Sequence, residues 1–284
     1  MRLIRLLPAV ATVLLAPHCV QARDEPLWEA GLGVAGVSFP DYRGSSQSQG
    51  YALPSPYFVY RGDFFKADRN GMRGVFFKND DVDLNLSVGA SLPVDSSENS
   101  ARAGMPDLRP SVEVGPSLAL TMWRSADRRL KLDLRFPVRA AFTIESKSRY
   151  IGAQFFPHAN IDIHEPFGLA GWNLGMFAGP VFTEKRYNRY FYQVDPQYAS
   201  ATRPAYEAPG SGFAGTEMVM GVSKRFPNFW IGAFARYDTL RGANFESSPL
   251  VTSKKYVAAG FGISWIFKES SRRVEVNAYG DERR

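Results

Sequence analysis

Leu130-Lys131-Leu132-Asp133-Leu134-Arg135-Phe136-Pro137-Val138-Arg139-Ala140-Ala141-Phe142 decides the fold class. Leu130, Leu132, Leu134, Phe136, Val138, Ala140 and Phe142 fall on one side of a period-two alternation, with Lys131, Asp133, Arg135 and Arg139 on the other. That period belongs to an extended strand with one apolar and one polar face. Val82 to Leu92 repeats the pattern, with Asp83, Asn85, Ser87 and Ser91 on the polar side, and Val112 to Met122 repeats it with Glu113, Ser117 and Thr121. These runs exceed the ~5–6 residues usual in soluble sheets and match the ~9–11 needed to cross a bilayer at a tilt.

Working outward, the chain divides into twelve such segments: 28–38, 51–60, 63–68, 72–78, 82–92, 111–123, 130–143, 151–163, 171–183, 212–225, 229–240 and 255–267. The third and fourth form a short hairpin around Asn70-Gly71, a favoured two-residue turn. With the chain starting in the periplasm, the links 61–62, 79–81, 124–129, 164–170 and 226–228 lie on that side, and all are short. The links 39–50, 69–71, 93–110, 144–150, 184–211 and 241–254 lie outside and include the longest in the chain. Short periplasmic turns alternating with long external loops are the signature of an outer-membrane barrel. The expected fold is therefore all-β: a transmembrane antiparallel up-and-down barrel of about twelve strands.

Tryptophan placement agrees. Trp28, Trp172 and Trp230 begin upward strands, and Trp123 and Trp265 end downward ones, so all five belong to the periplasmic rim. Indole, apolar with one polar handle, favours that interface. Strict alternation points Trp123 and Trp230 inward, which requires either a bulge or a lumen position.

Both ends are read separately. Arg2 and Arg5, the apolar run Leu6 to Ala16 and the small residues Val20 and Ala22 make residues 1–22 an expected signal peptide, cleaved after Ala22. Cleavage removes Cys19, the single cysteine, and with it disulfide or thiol chemistry. The barrel is then 23–267, and 268–284 is a charged periplasmic tail whose composition reads as disorder. The 34 basic and 28 acidic side chains are interspersed, leaving no nucleic-acid footprint; anionic lipopolysaccharide is the more natural neighbour, beside membrane lipid.

The order of local motifs carries a resemblance. Trp28-Glu29-Ala30-Gly31-Leu32-Gly33, Pro40-Asp41-Tyr42-Arg43-Gly44-Ser45, Leu53-Pro54 and Tyr60-Arg61-Gly62-Asp63 open the chain. Tyr190-Phe191-Tyr192-Gln193-Val194 and Arg203-Pro204-Ala205-Tyr206 follow, then Tyr237 to Phe245 and Ser248-Pro249-Leu250-Val251. Gly262 to Phe267 is similar to the C-terminal assembly signal of outer-membrane barrels. Together they resemble the MipA/OmpV family from about Trp28 to Phe267. The resemblance implies an outer-membrane scaffold that holds a membrane-bound lytic transglycosylase against a bifunctional murein synthase; other members are associated with adhesion and with antibiotic response. The tail past Phe267 departs from the pattern.

Residues for chemistry are sparse. Only His158 and His164 remain after cleavage, and His158 and Asp162 on one strand face stand roughly 13 Å apart, beyond hydrogen-bond reach. Asp162, His164 and Glu165 match no known metal-ligand spacing. No catalytic site, metal or cofactor is expected. The lumen face is expected to carry Asp83, Glu113, Lys131, Asp133, Arg135, Arg139, His158, Asp162, Glu217, Arg236 and Asp238. These either line a selective pore or cross-pair to fill it, because unpaired charge in a narrow interior is costly. The loop 184–211 holds Arg186, Arg189, Tyr190, Tyr192, Arg203 and Tyr206, which suit either recognition of anionic or sugar surfaces or folding back as a plug. Scaffold, solute or antibiotic channel, and adhesin acting through the external loops all stay open at this level.

Overall fold

A computed structural model describes residues 23–62, 65–68 and 71–276. The signal-peptide reading of 1–22 and the end of the tail lie outside the described residues. The wall contains β2 (Trp28–Pro40), β3 (Ser48–Arg61), β4 (Phe65–Asp68), β5 (Gly71–Lys78), β6 (Val82–Ser91), β7 (Ser111–Arg124) and β8 (Leu130–Thr143). It continues through β9 (Tyr150–Phe155), β10 (His158–His164), β11 (Trp172–Thr183), β12 (Gly212–Arg225), β13 (Phe229–Thr239) and β14 (Lys255–Glu269). Each pairs antiparallel with its chain neighbour, and β14 pairs back onto β2 from Ala259↔Ser38 to Glu269↔Glu29. β9 and β10 are two halves of one wall strand, since both pair with β8 and with β11. The result is a closed barrel of twelve wall strands, as the alternation implies. Closure of β14 onto β2 leaves no free first or last strand, as backbone inside lipid requires, while the short β4–β5 hairpin meets β3 only at Tyr60 and Arg61 and β6 only at Asp83 to Asn85.

Period two sorts the two faces. On β14, Val257, Phe261, Trp265 and Phe267 are exposed while Ala258 and Ser264 are buried. Leu84, Val88 and Val138 face outward, whereas Glu113 and Asp133 face the lumen and are buried. The exposed apolar band is the lipid surface.

Departures from alternation have local causes. A bulge between Thr121 and Trp123 turns both Met122 and Trp123 outward, so Trp123 is a rim residue. Trp230 pairs with buried Ser264 and stands 6.1 Å from the ring of Tyr57, so it is a lumen residue. Period-two alternation along 151–163, with His158 and Asp162 inward, predicts Ile151 on the lipid face. A register shift between Ala141 and Phe142 turns it inward, where it is 4% exposed in the aromatic cluster. The same strand breaks at Pro157, which has no N–H for the ladder, while the Phe156 N–H still reaches the carbonyl of Pro137 at 3.1 Å.

The tail reading needs correction. β1 (Arg23–Pro26) pairs antiparallel with β15 (Arg273–Val276) in a separate two-stranded ribbon at the short-turn end. The Leu27 N–H bonds Arg272 O and the Ser270 N–H bonds Trp28 O, both at 2.9 Å. Composition sees a charged segment; it does not see that β14–β2 pairing delivers the two ends of the chain side by side. That proximity removes most of the loop-closure cost of ordering them.

The external loops pack into one plug. α1 (Lys185–Tyr192) buries Tyr187, Asn188, Phe191 and Tyr192 in the mouth, one face of a short helix. Gly152, at φ +124°, lets the helix backbone approach: a Cβ there would stand 2.3 Å from the amide nitrogen of Tyr187. Gly152→Ala is therefore expected to cost about 1–3 kcal/mol and to loosen α1, read as faster amide exchange across residues 185–192 with the barrel ladders unchanged.

Candidate functional site

The lumen and its plug form the candidate site. Ten of the eleven expected lumen residues line a single cavity of about 520 Å³; Asp238 lies behind it, fully buried. The charges cross-pair. Asp133 takes Lys131 at 3.1 Å and Arg135 at 3.2 Å; Arg135 also reaches Asp162 at 3.5 Å. Arg139 donates to Ser87 Oγ at 2.7 Å and faces Glu113 at 3.9 Å. Glu113 also accepts from Tyr187 of the plug and from Gln154. Asp83 accepts from Asn85. On the opposite wall, Arg236 bridges Glu217 at 2.8 Å and Asp238 at 2.6 Å.

Three features were not read from the sequence. Arg43, in the first external loop, reaches down to Asp238 at 2.6 Å, and Tyr256 donates to the same carboxylate at 2.5 Å. Near the periplasmic rim, fully buried Glu29 is held by Arg61 at 2.8 Å, Arg225 at 2.9 Å and Tyr57 at 3.3 Å. A buried carboxylate between two guanidiniums is tolerable only with such partners. Alternation from Trp28 already points Glu29 inward; which arginines meet it depends on ring closure. Phe156 and Phe177, the third feature, cluster with His158 at 4.4 and 5.0 Å between ring centroids and with each other at 5.8 Å.

His158 Nδ1 faces Phe156 O at 2.8 Å, and Asp162 is engaged by Asn160 and Arg135, so the two residues form no acid–base pair. Among the described residues, no group of three or more His, Cys, Asp or Glu side chains is arranged to hold a metal.

The mouth is closed by aromatic stacking. Tyr192 and Phe245 rings lie 3.7 Å apart at 10°, both almost wholly buried. The Tyr192 hydroxyl donates to Arg43 O at 2.9 Å, and Ser248 Oγ donates to Tyr192 O at 2.8 Å. Tyr42 donates to Leu250 O at 2.8 Å, tying the first external loop to the last. Of the six expected loop residues, Tyr192, Arg203 and Tyr206 serve the plug. Arg203 spends its guanidinium on the carbonyls of Tyr198, Ala101 and Ala103, and Tyr206 forms a backbone bridge with Val194. Arg186, Arg189 and Tyr190 line an outward-facing groove.

Burial pushes the Tyr42 hydroxyl up to about 12, with Arg102 opposing and Asp41 adding to the rise. A folded-state value above the unfolded ~10 means its stabilising contribution is whole below pH ~10 and is lost as pH climbs through about 12. The plug is thus expected to loosen between those values by roughly 2–3 kcal/mol, tracked by tyrosinate absorbance, with Tyr42→Phe flattening the loss.

A family model described as MltA-interacting protein MipA matches residues 32–267. The chain belongs to the MipA family. It is similar to outer membrane protein OmpV of Vibrio cholerae serotype O1 (strain ATCC 39315 / El Tor Inaba N16961), 24% identical over 248 residues, covering 86% of this chain and 88% of that protein. It is also similar to outer membrane protein Omp26La of Vibrio anguillarum, 22% identical over 215 residues, covering 74% and 76%. Among solved structures, a bacterial polysaccharide outer membrane secretin shares 10% identity at a TM-score of 0.38, covering 84% of this chain and 99% of that one, a likeness from which no function follows. MipA-family membership and the closed twelve-stranded wall make the protein an outer-membrane β-barrel, with its long loops outside.

Proposed function

We propose that this barrel is a non-enzymatic scaffold that docks murein enzymes at its periplasmic end, namely a membrane-bound lytic transglycosylase and a bifunctional murein synthase. The observation that carries the reading is the lumen itself: most of its charges pair with one another, and aromatic rings of the external loops pack across its mouth. Among the described residues that line it, no nucleophile stands beside a base. The family description, MltA-interacting protein, points the same way. The ribbon of β1 and β15 enlarges an otherwise small periplasmic face. A two-stranded ribbon keeps unpaired strand edges, a ready template for strand addition by a partner.

The test is retention of a purified lytic transglycosylase or murein synthase by the full-length barrel in detergent at low salt. Retention that drops when Arg272 and Arg273 are changed to Glu supports docking at the ribbon; failure to retain either enzyme removes the reading. A second reading, a solute channel, draws on the cavity of about 520 Å³ with both signs of charge on its wall. Conductance separates the two.

A further inference from the structure

We propose that the external mouth carries a binding groove for a phosphorylated saccharide, formed between α1 and the 93–110 loop. The groove encloses about 690 Å³, within the ~300–1,000 Å³ typical of small-ligand sites. Its character follows from the helix. Tyr187, Asn188, Phe191 and Tyr192 point into the plug, so the 3.6-residue period turns Lys185, Arg186, Arg189 and Tyr190 toward the groove.

The groove is lined by more cations than carboxylates, five against three, and three of those cations differ from the lumen's in their pairing. Every arginine expected in the lumen has a carboxylate within 4.0 Å. Among the described residues, Lys185, Arg186 and Arg189 have none. Arg186 lies 5.2 Å over the ring of Tyr150, and Arg189 Nε donates to Gln193 at 3.0 Å. The groove's carboxylates accept from neutral donors and keep their charge, Asp107 from the Ser96 N–H, Asp195 from Gln193 and Glu184 from Tyr150, so the net excess of positive charge is two. The α1 face offers a ligand guanidinium and ammonium donors without a carboxylate of the described residues within 4.0 Å, beside the rings of Tyr150, Tyr190 and Tyr198. Guanidinium forks match phosphate oxygens, and tyrosines give rigid, amphipathic contact for a sugar ring. The groove opens on the outer side of the membrane, where the core sugars of lipopolysaccharide carry phosphate.

The test is calorimetric titration of the purified full-length barrel in detergent. The probes are deacylated lipopolysaccharide core oligosaccharide, the same oligosaccharide after dephosphorylation, and a monosaccharide phosphate. The phosphorylated core is expected to bind saturably, to lose about tenfold or more in affinity on dephosphorylation, and to weaken with salt. Arg186→Gln with Arg189→Gln should produce a similar loss while the barrel stays folded by its gel mobility. Arg241→Gln, a charge change elsewhere on the external loops, should leave binding unchanged. Tight binding of the monosaccharide phosphate would support the groove and assign it to free sugar phosphates. Equal affinity for the dephosphorylated core, equal affinity of the double variant, or no binding of any probe overturns the proposal.

Discussion

Deleting residues 186–208 is expected to give a barrel that conducts ions in discrete steps in planar bilayers, where the intact protein is expected to be silent. The deletion takes out Tyr187, Phe191 and Tyr192, the side chains that fill the mouth from α1, and leaves Phe245 without the ring it stacks on. Twelve strands enclose more space than the eight that side chains can fill, so the remaining wall cannot collapse onto the vacancy. The wall depends on interstrand ladders that the deletion does not touch, and the variant should still show the heat-modifiable gel mobility of a folded barrel. Conductance by the intact protein would revive the channel reading and count against a stacked-shut mouth. Silence of the deleted form would show that the lower lumen, with Glu29, Arg61 and Arg225, closes the path without the plug.

Asp238→Ala is the second large effect, expected to cost about 3–5 kcal/mol of stability. Asp238 is fully buried and takes Arg43, Arg236 and Tyr256 together. Two carboxylates, Asp238 and Glu217, balance two guanidiniums, Arg43 and Arg236. Removing one carboxylate strands a buried positive charge, which costs more than the pair contributes when whole. Since Arg43 belongs to the first external loop and Asp238 to β13, the loss also frees that loop from the wall. The temperature at which the folded gel band disappears should fall clearly. A double change that removes one charge of each sign, Arg43→Gln with Asp238→Asn, should be milder than Asp238→Ala. If it is more severe, the network is held by something other than charge balance.

Much of the wall was legible in the sequence because a strand's faces are set by parity alone. Lys131, Asp133, Arg135 and Arg139 could be placed in the lumen without knowing their neighbours, and all four line the cavity. Parity fails where a residue is inserted: the bulges near Trp123 and Ile151 move side chains across the wall, and no period-two count foresees them. Contact partners were not legible either. Glu29 meets Arg225 across 196 positions of sequence, and Arg43 meets Asp238 across 195, because the ring brings strands from opposite ends of the chain together. The external loop was read with both outcomes open, and its residues divide between them: Tyr192, Arg203 and Tyr206 hold the plug, while Arg186, Arg189 and Tyr190 face outward.

Sequence by itself determined the strand count, the inside and outside of the strands wherever no bulge intervenes, the membrane setting and the family, because these depend on local alternation, loop length and motif order. Tertiary structure alone decided that most lumen charges pair, that Tyr192 and Phe245 stack in the mouth, that the chain ends meet in a ribbon, and which loop cations have no carboxylate beside them. Those outcomes depend on which side chains arrive at the same place when a sheet closes on itself. Closure joins residues nearly two hundred positions apart, a distance over which no local pattern carries information.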